Sequence, residues 1–277
     1  MNFHSDEWIM EKLNEHYQEA LTLFPEDRIV GIFYQGSGNY GLDIENSDVD
    51  TKVILVPSLN NLCFNKKPVS TTHIRTNNEH IDFKDIRLYM QTFRKQNINF
   101  VEILFTKYFI LNPMYAEEWA ELTSEREAIA RYNPLVAMRA MKGMAMETFH
   151  ALEHRYPSKT EVIDKYGYDP KQLHHLCRLE EFMYRYGMDV PYEECLIALS
   201  ADYFKQVKEG KYTLEEARGV AQTAMESIEW MYTVFLNSQD ISQSPDERTS
   251  VCLDRTQEKI MRKAIKFELE ECQYENH

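Results

Sequence analysis

The chain has five cysteines, at positions 63, 177, 195, 252 and 272, and no CxxC pair among them. An odd, scattered set excludes a disulfide framework and a zinc knuckle, and reduced, mostly buried thiols are expected. No apolar run approaches the ~18 residues that a membrane span needs. No basic segment followed by an apolar run opens the chain, so no signal peptide is expected. The expectation is a soluble, intracellular, cytoplasmic protein with no membrane partner. Positive charge is in deficit, with 31 Lys and Arg against 45 Asp and Glu and a net charge of -14. Such a surface repels long nucleic acid and weighs against a duplex-DNA binder, while leaving a nucleotide or a structured RNA end as substrate. Two familiar chemical signatures are also missing, and a third lacks its context. There is no HExxH and no lysine closing a Walker-type glycine loop, and the Gly-x-Gly-x-x-Gly at 36–41 opens no helix after its strand.

What is present is enough apolar material for a sizeable core: 43% of residues are hydrophobic and 12% aromatic, with only nine glycines and nine prolines. Trp8, Ile9, Leu13, Tyr17, Ala20, Leu21 and Phe24 recur at helical spacing and predict a helix over 6–23. Residues 29–34 form an apolar run of strand type, followed by the turn Gly36-Ser37-Gly38-Asn39-Tyr40-Gly41. A second strand is predicted over 51–56, a third within 69–76 and a short one at 80–83. Asp85 reads as the N-cap of a helix reaching about Lys95. Past residue 113 the strand signals vanish. Helices are expected over roughly 115–130, 134–154, 170–186, 191–208, 213–236 and 253–271, with 237–249 a polar loop. The fold class is therefore α+β: a mixed sheet with helices over 1–112, followed by an all-helical domain over 113–277.

Three features of the first domain carry chemistry. Gly36 and Ser37 follow a strand directly. Glycine lets the backbone approach a phosphate, successive N–H groups can form an anion nest, and the serine hydroxyl adds a hydrogen bond. Asp48 and Asp50 flank Val49 at a strand start, where residues two apart share a face. Two like charges so placed raise one pKa or recruit a cation. Magnesium takes oxygen ligands, and two such ions about 4 Å apart can clamp a phosphoryl transfer. Asp82, between Ile81 and Phe83, could supply a third carboxylate as general base or metal ligand. Taken alone, each has an ordinary alternative: a turn, an acidic cap, an edge-strand aspartate facing water. Asp85 competes with Asp82 for the third position but reads as a helix cap, and Asp43 and Glu45 are weaker neighbours in the connecting loop.

The combination Gly36-Ser37-Gly38-Asn39-Tyr40-Gly41-Leu42 with Ser47-Asp48-Val49-Asp50 resembles the signature of the DNA polymerase β-like nucleotidyltransferases. The Tyr40-Gly41-Leu42 variant is similar to a predicted nucleotidyltransferase family common in bacteria and phages. Residues 97–104 resemble that family's asparagine-rich turn and following helix. Lys165-Tyr166-Gly167-Tyr168-Asp169-Pro170-Lys171, with His175 and Arg178, resembles its second motif. The resemblance implies a nucleotidyltransferase-like sheet and transfer of a nucleoside monophosphate from an NTP to a hydroxyl acceptor, with release of pyrophosphate. It implies Mg²⁺ or Mn²⁺ on Asp48, Asp50 and Asp82, and the nucleotide on Gly36 and Ser37. The acceptor could be an RNA end, a tRNA or a small molecule. The alternative is a non-catalytic nucleotide- or RNA-binding module of regulatory or antitoxin-like kind.

The second motif also has its own physics. Asp169 can cap a helix with Pro170 at its first position. Lys171, His175 and Arg178 then fall on one face, at i, i+4 and i+7. Three potential cations so placed suit a triphosphate or an RNA phosphate, although such a face can also be merely solvated.

Overall fold

The computed structural model describes residues 3–45, 47–238 and 245–274. Contacts divide the chain into two compact units. The sheet unit comprises His4–Asn39, Glu45–Tyr132 and Pro245–His277, and the helical unit comprises Met1–Phe3, Tyr40–Ile44 and Asn133–Ser244. Where the sequence suggested one boundary near residue 112, the chain changes unit several times.

In the sheet unit, α1 (Asp6–Leu23) starts where the Ser5 hydroxyl accepts a hydrogen bond from Trp8 N, and Asp6 and Glu7 suit the positive end of the helix. Its buried residues Ile9, Leu13, His16 and Ala20 form one stripe. Five strands follow: β1 (Ile29–Gln35), β2 (Asp50–Leu55), β3 (Ser70–Ile74), β4 (His80–Asp85) and β5 (Phe109–Leu111), in the spatial order β3-β4-β2-β1-β5. The sheet is mixed, because β2 and β4 run parallel while the other pairs are antiparallel. The stripe on α1 packs with Val53, Leu55, Ile81 and Phe83 in a shared core. Alternation along the strands then turns Asp50 and Lys52 of β2, and His80, Asp82 and Lys84 of β4, to the opposite face.

Shorter helices complete the unit: α2 (Leu59–Cys63), α3 (Ile86–Arg94), α4 (Ile98–Val101), α5 (Ala116–Ser124) and α6 (Arg126–Ala130). The sequence suggested one helix over 115–130, but it breaks at Glu125, whose backbone has left helical geometry (φ -101, ψ 12). The short strand β5 was not foreseen, since three residues leave almost no periodic signal.

The helical unit contains α7 (Pro134–Ala151), α8 (Thr160–Tyr166), α9 (Pro170–Gly187), α10 (Tyr192–Leu196), α11 (Ala201–Lys208) and α12 (Leu214–Asn237). α9 is the hub, with nine buried residues, among them Leu173, Leu176, Phe182 and Met183. The helix expected over 191–208 is two pieces. The gap is held open by Arg185, which donates to Ile197 O at 2.7 Å, and by Glu181, which accepts from Leu199 N at 2.9 Å. α12 opens with a capping box between Thr213 and Glu216. The final helix, α13 (Glu247–Tyr274), rejoins the sheet unit: Lys263 pairs with Glu118 at 2.6 Å, and Glu268 pairs with Arg28 at 2.6 Å and caps Leu59 N. Of the polar loop suggested over 237–249, residues 239–244 lie outside the described residues. No helix among the described residues is long and apolar enough to cross a membrane.

Two stability predictions follow for the helical unit. Gly210 has φ +86, and an added Cβ would meet Tyr166 Cε1 at 2.3 Å. Gly210→Ala should therefore destabilise the unit by more than about 1 kcal/mol, read as a lower urea midpoint; an unchanged midpoint would contradict the packing described. His174 is buried and donates through Nδ1 to the Phe204 carbonyl at 3.0 Å, which fixes Nδ1 as the protonated nitrogen. Burial first, with Arg178, Lys208 and Lys171 adding, pulls its pKa from 6.5 down to about 4. The unfolded imidazole takes up a proton near pH 6.5 while the folded one does not. Stability is thus full above that pH and is lost as pH falls toward about 4, by up to ~3 kcal/mol. Urea titrations at pH 7 and pH 4.5 should show that loss, and His174→Gln should flatten it.

Candidate active site

The turn after β1 is built around one tyrosine. Gly38 N donates to Tyr34 Oη at 3.1 Å, and Asn39 donates through its side chain to Tyr34 O. A Cβ at Gly36, where φ is +153, would stand 2.9 Å from that hydroxyl, and one at Gly38 would stand 2.7 Å from it. The glycines are thus required by the close approach of Tyr34, independently of any ligand. The turn Ser37–Tyr40 is held further by Asn39 N donating to Gly36 O and by Thr106 donating to the Asn39 side chain at 2.7 Å. Ser37 Oγ lies half-exposed, 3.3 Å from Ser47 Oγ.

Asp48 is exposed just before β2, and Val49 beside it is buried in the sheet core, as the alternation required. Asp50 opens β2. Its Oδ1 accepts from His80 N at 2.9 Å and lies 3.1 Å from His80 Nδ1. Two residues on, Lys52 is the register partner of Asp82 across the parallel β2–β4 pairing. Lys52 Nζ lies 3.4 Å from Asp82 Oδ2 and 4.1 Å from the Phe100 ring centroid. Its side chain is only 3% exposed, against 35% for Asp82. Burial lowers the Lys52 pKa, and the charges of Asp82 and Asp50 oppose that fall. Thr72 of β3 donates to the other oxygen of Asp82. Lys84 Nζ lies 3.8 Å from the same Phe100 centroid. Beneath them Tyr89 is fully buried, and its hydroxyl has no hydrogen-bond partner. Burial and then the Asp82 charge raise the Tyr89 pKa far up.

The competing aspartate has other partners. Asp85 is buried, caps α3 by accepting from Arg87 N at 2.9 Å, and pairs with the Arg87 guanidinium. The sheet face thus brings Asp50 and Asp82 together with four residues that the sequence reading passed over: Lys52, Thr72, His80 and Lys84. The i, i+2 spacings of 50 with 52 and of 80 with 82 could have been read from the sequence. The parallel pairing that sets the two strands side by side could not.

The donor chemistry suits a divalent ion. Asp48 and Asp50 offer carboxylate oxygen, and magnesium is commonly held by one or two carboxylates with water and substrate phosphate completing its shell. A closed protein cage is not what such an ion needs, and among the described residues no three acid, histidine or cysteine side chains form one. Asp82 fits the ion less well, since Lys52 and Thr72 already engage both its oxygens.

In the helical unit, Asp169 caps α9 by accepting from Lys171 N at 2.9 Å and pairs with Lys159 at 3.2 Å. Lys171, His175 and Arg178 do share a face. The Arg178 guanidinium stacks on the buried ring of Tyr40, 3.4 Å from its centroid. His175 differs from its neighbours in charge. Desolvation first, then His174, Arg178 and Lys171, lowers its pKa well below 6.5. The face therefore carries two permanent cations and one neutral imidazole at pH 7.

No family model and no curated protein matches the chain. A solved nucleotidyltransferase-like protein from Exiguobacterium sibiricum 255-15 aligns over 81% of this chain and 75% of its own, at 12% identity and a TM-score of 0.30. An overlap that loose transfers neither substrate nor residue roles.

Proposed function

We propose that this protein is a metal-dependent nucleotidyltransferase that moves a nucleoside monophosphate from an NTP to a hydroxyl acceptor. The observation that carries the reading is the parallel β2–β4 pairing, which puts Asp50 and Asp82 on one sheet face. Both follow the glycine-serine turn, Asp50 within the Asp-x-Asp pair and Asp82 after it, in the order of the family that the sequence resembles. The acceptor oxygen forms a bond to the α-phosphorus while the bond from that phosphorus to the bridging oxygen breaks, and pyrophosphate leaves with the electron pair. Asp82 orients the acceptor hydroxyl and takes its proton. Backbone N–H groups at Gly36 and Ser37, with the serine hydroxyl, receive the β- and γ-phosphates. Asp48 and Asp50 hold Mg²⁺ or Mn²⁺, which when bound supplies charge neutralisation for the triphosphate. Within the helical unit taken by itself, the α9 face of Lys171, His175 and Arg178 can attract a phosphate, the lysine and arginine by charge and the histidine by hydrogen bonding. Positioning and electrostatics account for most of the acceleration in such transfers. The net charge of -14 favours a compact acceptor, such as an RNA 3′ end, a tRNA or a small hydroxylated molecule, over a duplex.

The test is incubation of the protein with each α-³²P-labelled NTP, Mg²⁺ or Mn²⁺, and separated cellular RNA, protein and small-molecule fractions. Label should move to one fraction. Asp50→Asn should cut that transfer by about 100-fold or more with an unchanged circular dichroism spectrum, because the amide oxygen can still accept from His80 N. Full activity in Asp50→Asn would overturn the metal assignment. No transfer by the unaltered protein, with metal-dependent NTP binding intact, would favour the binding-module alternative.

A further inference from the structure

The third carboxylate of the site already has its own cation. Lys52 reaches Asp82 from the neighbouring strand, on the same face as Asp50 two residues before it. Its ammonium is held in place on three sides: by the Asp82 carboxylate at 3.4 Å, by the Phe100 ring at 4.1 Å, and by burial that leaves the side chain 3% exposed. A lysine stem so enclosed has little freedom to swing away, and a buried ammonium stripped of water is held by its partners. Thr72 fixes the far oxygen of Asp82. A divalent ion bridging Asp50 and Asp82 would have to displace Lys52 or share its partner, and either is opposed by repulsion between the ion and the buried Lys52 ammonium.

We propose that Lys52 is a tethered cation standing where a second divalent ion would otherwise bind, so that this protein holds a single divalent ion, on Asp48 and Asp50. The inference rests on the nucleotidyltransferase reading of the site and deepens it. Lys52 acts as a positioning residue: it orients Asp82 and supplies the positive charge that balances it. The reaction written above then needs one exchangeable metal, with its second positive charge built into β2.

The experiment counts bound Mn²⁺ on the full chain by electron paramagnetic resonance, titrating the metal alone into the millimolar range, with folding followed by circular dichroism. The unaltered protein should bind one Mn²⁺, and Asp50→Asn should lose it. Lys52→Met should bind a second Mn²⁺, or bind the metal roughly tenfold more tightly, because a carboxylate is released and a repelling charge is removed. Lys52→Arg, which keeps the charge, should stay at one. If Lys52→Met does not fold, Lys52→Gln serves in its place, and a count of two on the unaltered protein is decisive without either. Two Mn²⁺ on the unaltered protein would overturn the tethered-cation inference while leaving the nucleotidyltransferase reading standing. One Mn²⁺ on both the unaltered and Lys52→Met proteins, bound with unchanged affinity, would overturn it as well. No bound Mn²⁺ at all would sink both readings together.

Discussion

The parallel pairing of β2 with β4 fixes most of what the sheet unit can do. Thr51 stands opposite Ile81 and Lys52 opposite Asp82. A slip of one residue would turn Asp82 into the core and Phe83 toward solvent, because side chains alternate with period two. That slip is blocked by the apolar set Val53, Leu55, Ile81 and Phe83, which all pack with α1. The charged face is therefore positioned by the greasy face. The acids, lysines and histidine need no attraction among themselves to be brought together; the hydrophobic burial behind them does it.

The core behind β2 is not wholly apolar. His16 of α1 is fully buried, with Nδ1 3.0 Å from Thr51 Oγ1 and Nε2 3.0 Å from Glu79. Arg75 donates to Glu79 and to Glu19 of α1, and His73 also meets Glu19. Burial lowers the His16 pKa, and the Glu79 hydrogen bond works against it. Thr51 lies between Asp50 and Lys52, so this network grips the one stretch of strand whose other face carries the candidate chemistry. A half-satisfied buried network is costly, and a satisfied one specifies a unique geometry. Here it sets the height of α1 over β2 by directional bonds, which apolar contacts alone would leave free to slide.

The periodic elements were legible in the sequence and the tertiary ones were not. The stripe of α1, four of the five strands, the Asp85 and Asp169 caps and the burial of Val49 all follow from local rules of spacing and capping. The three-residue strand β5 and the breaks at Glu125 and Ile197–Ser200 do not, since each depends on partners distant in the chain. At the site, Asp48, Asp50 and Asp82 could be picked out as residue types in a pattern. Lys52 could not, because a lysine in a strand reads as a solvated edge, and only the pairing with β4 buries it beside Asp82. The glycines at 36 and 38 were open to a phosphate-binding reading, and the structure adds a second cause in the Tyr34 ring beneath them. His175 was legible as a member of a helix face but not as a neutral one, since its charge is set by the company it keeps.

Charge is distributed with the same economy. The chain as a whole is strongly acidic, yet Lys52, Lys84 and His80 all stand on the sheet face that carries Asp50 and Asp82. The lysines there are already engaged, Lys52 with Asp82 and Phe100 and Lys84 with Phe100, and His80 is hydrogen-bonded to Asp50. A bare triphosphate approaching this face would meet neutralised cations set in a negative surrounding field, and would be repelled at long range. On the proposed reading, a triphosphate that has already taken up a divalent ion carries less negative charge and brings the one thing that Asp48 and Asp50 attract. On that reading the field of the protein would favour the metal-complexed nucleotide over the free one. It would also oppose long polyanionic acceptors, whose many phosphates would each add to the repulsion without adding a contact at the reacting atom.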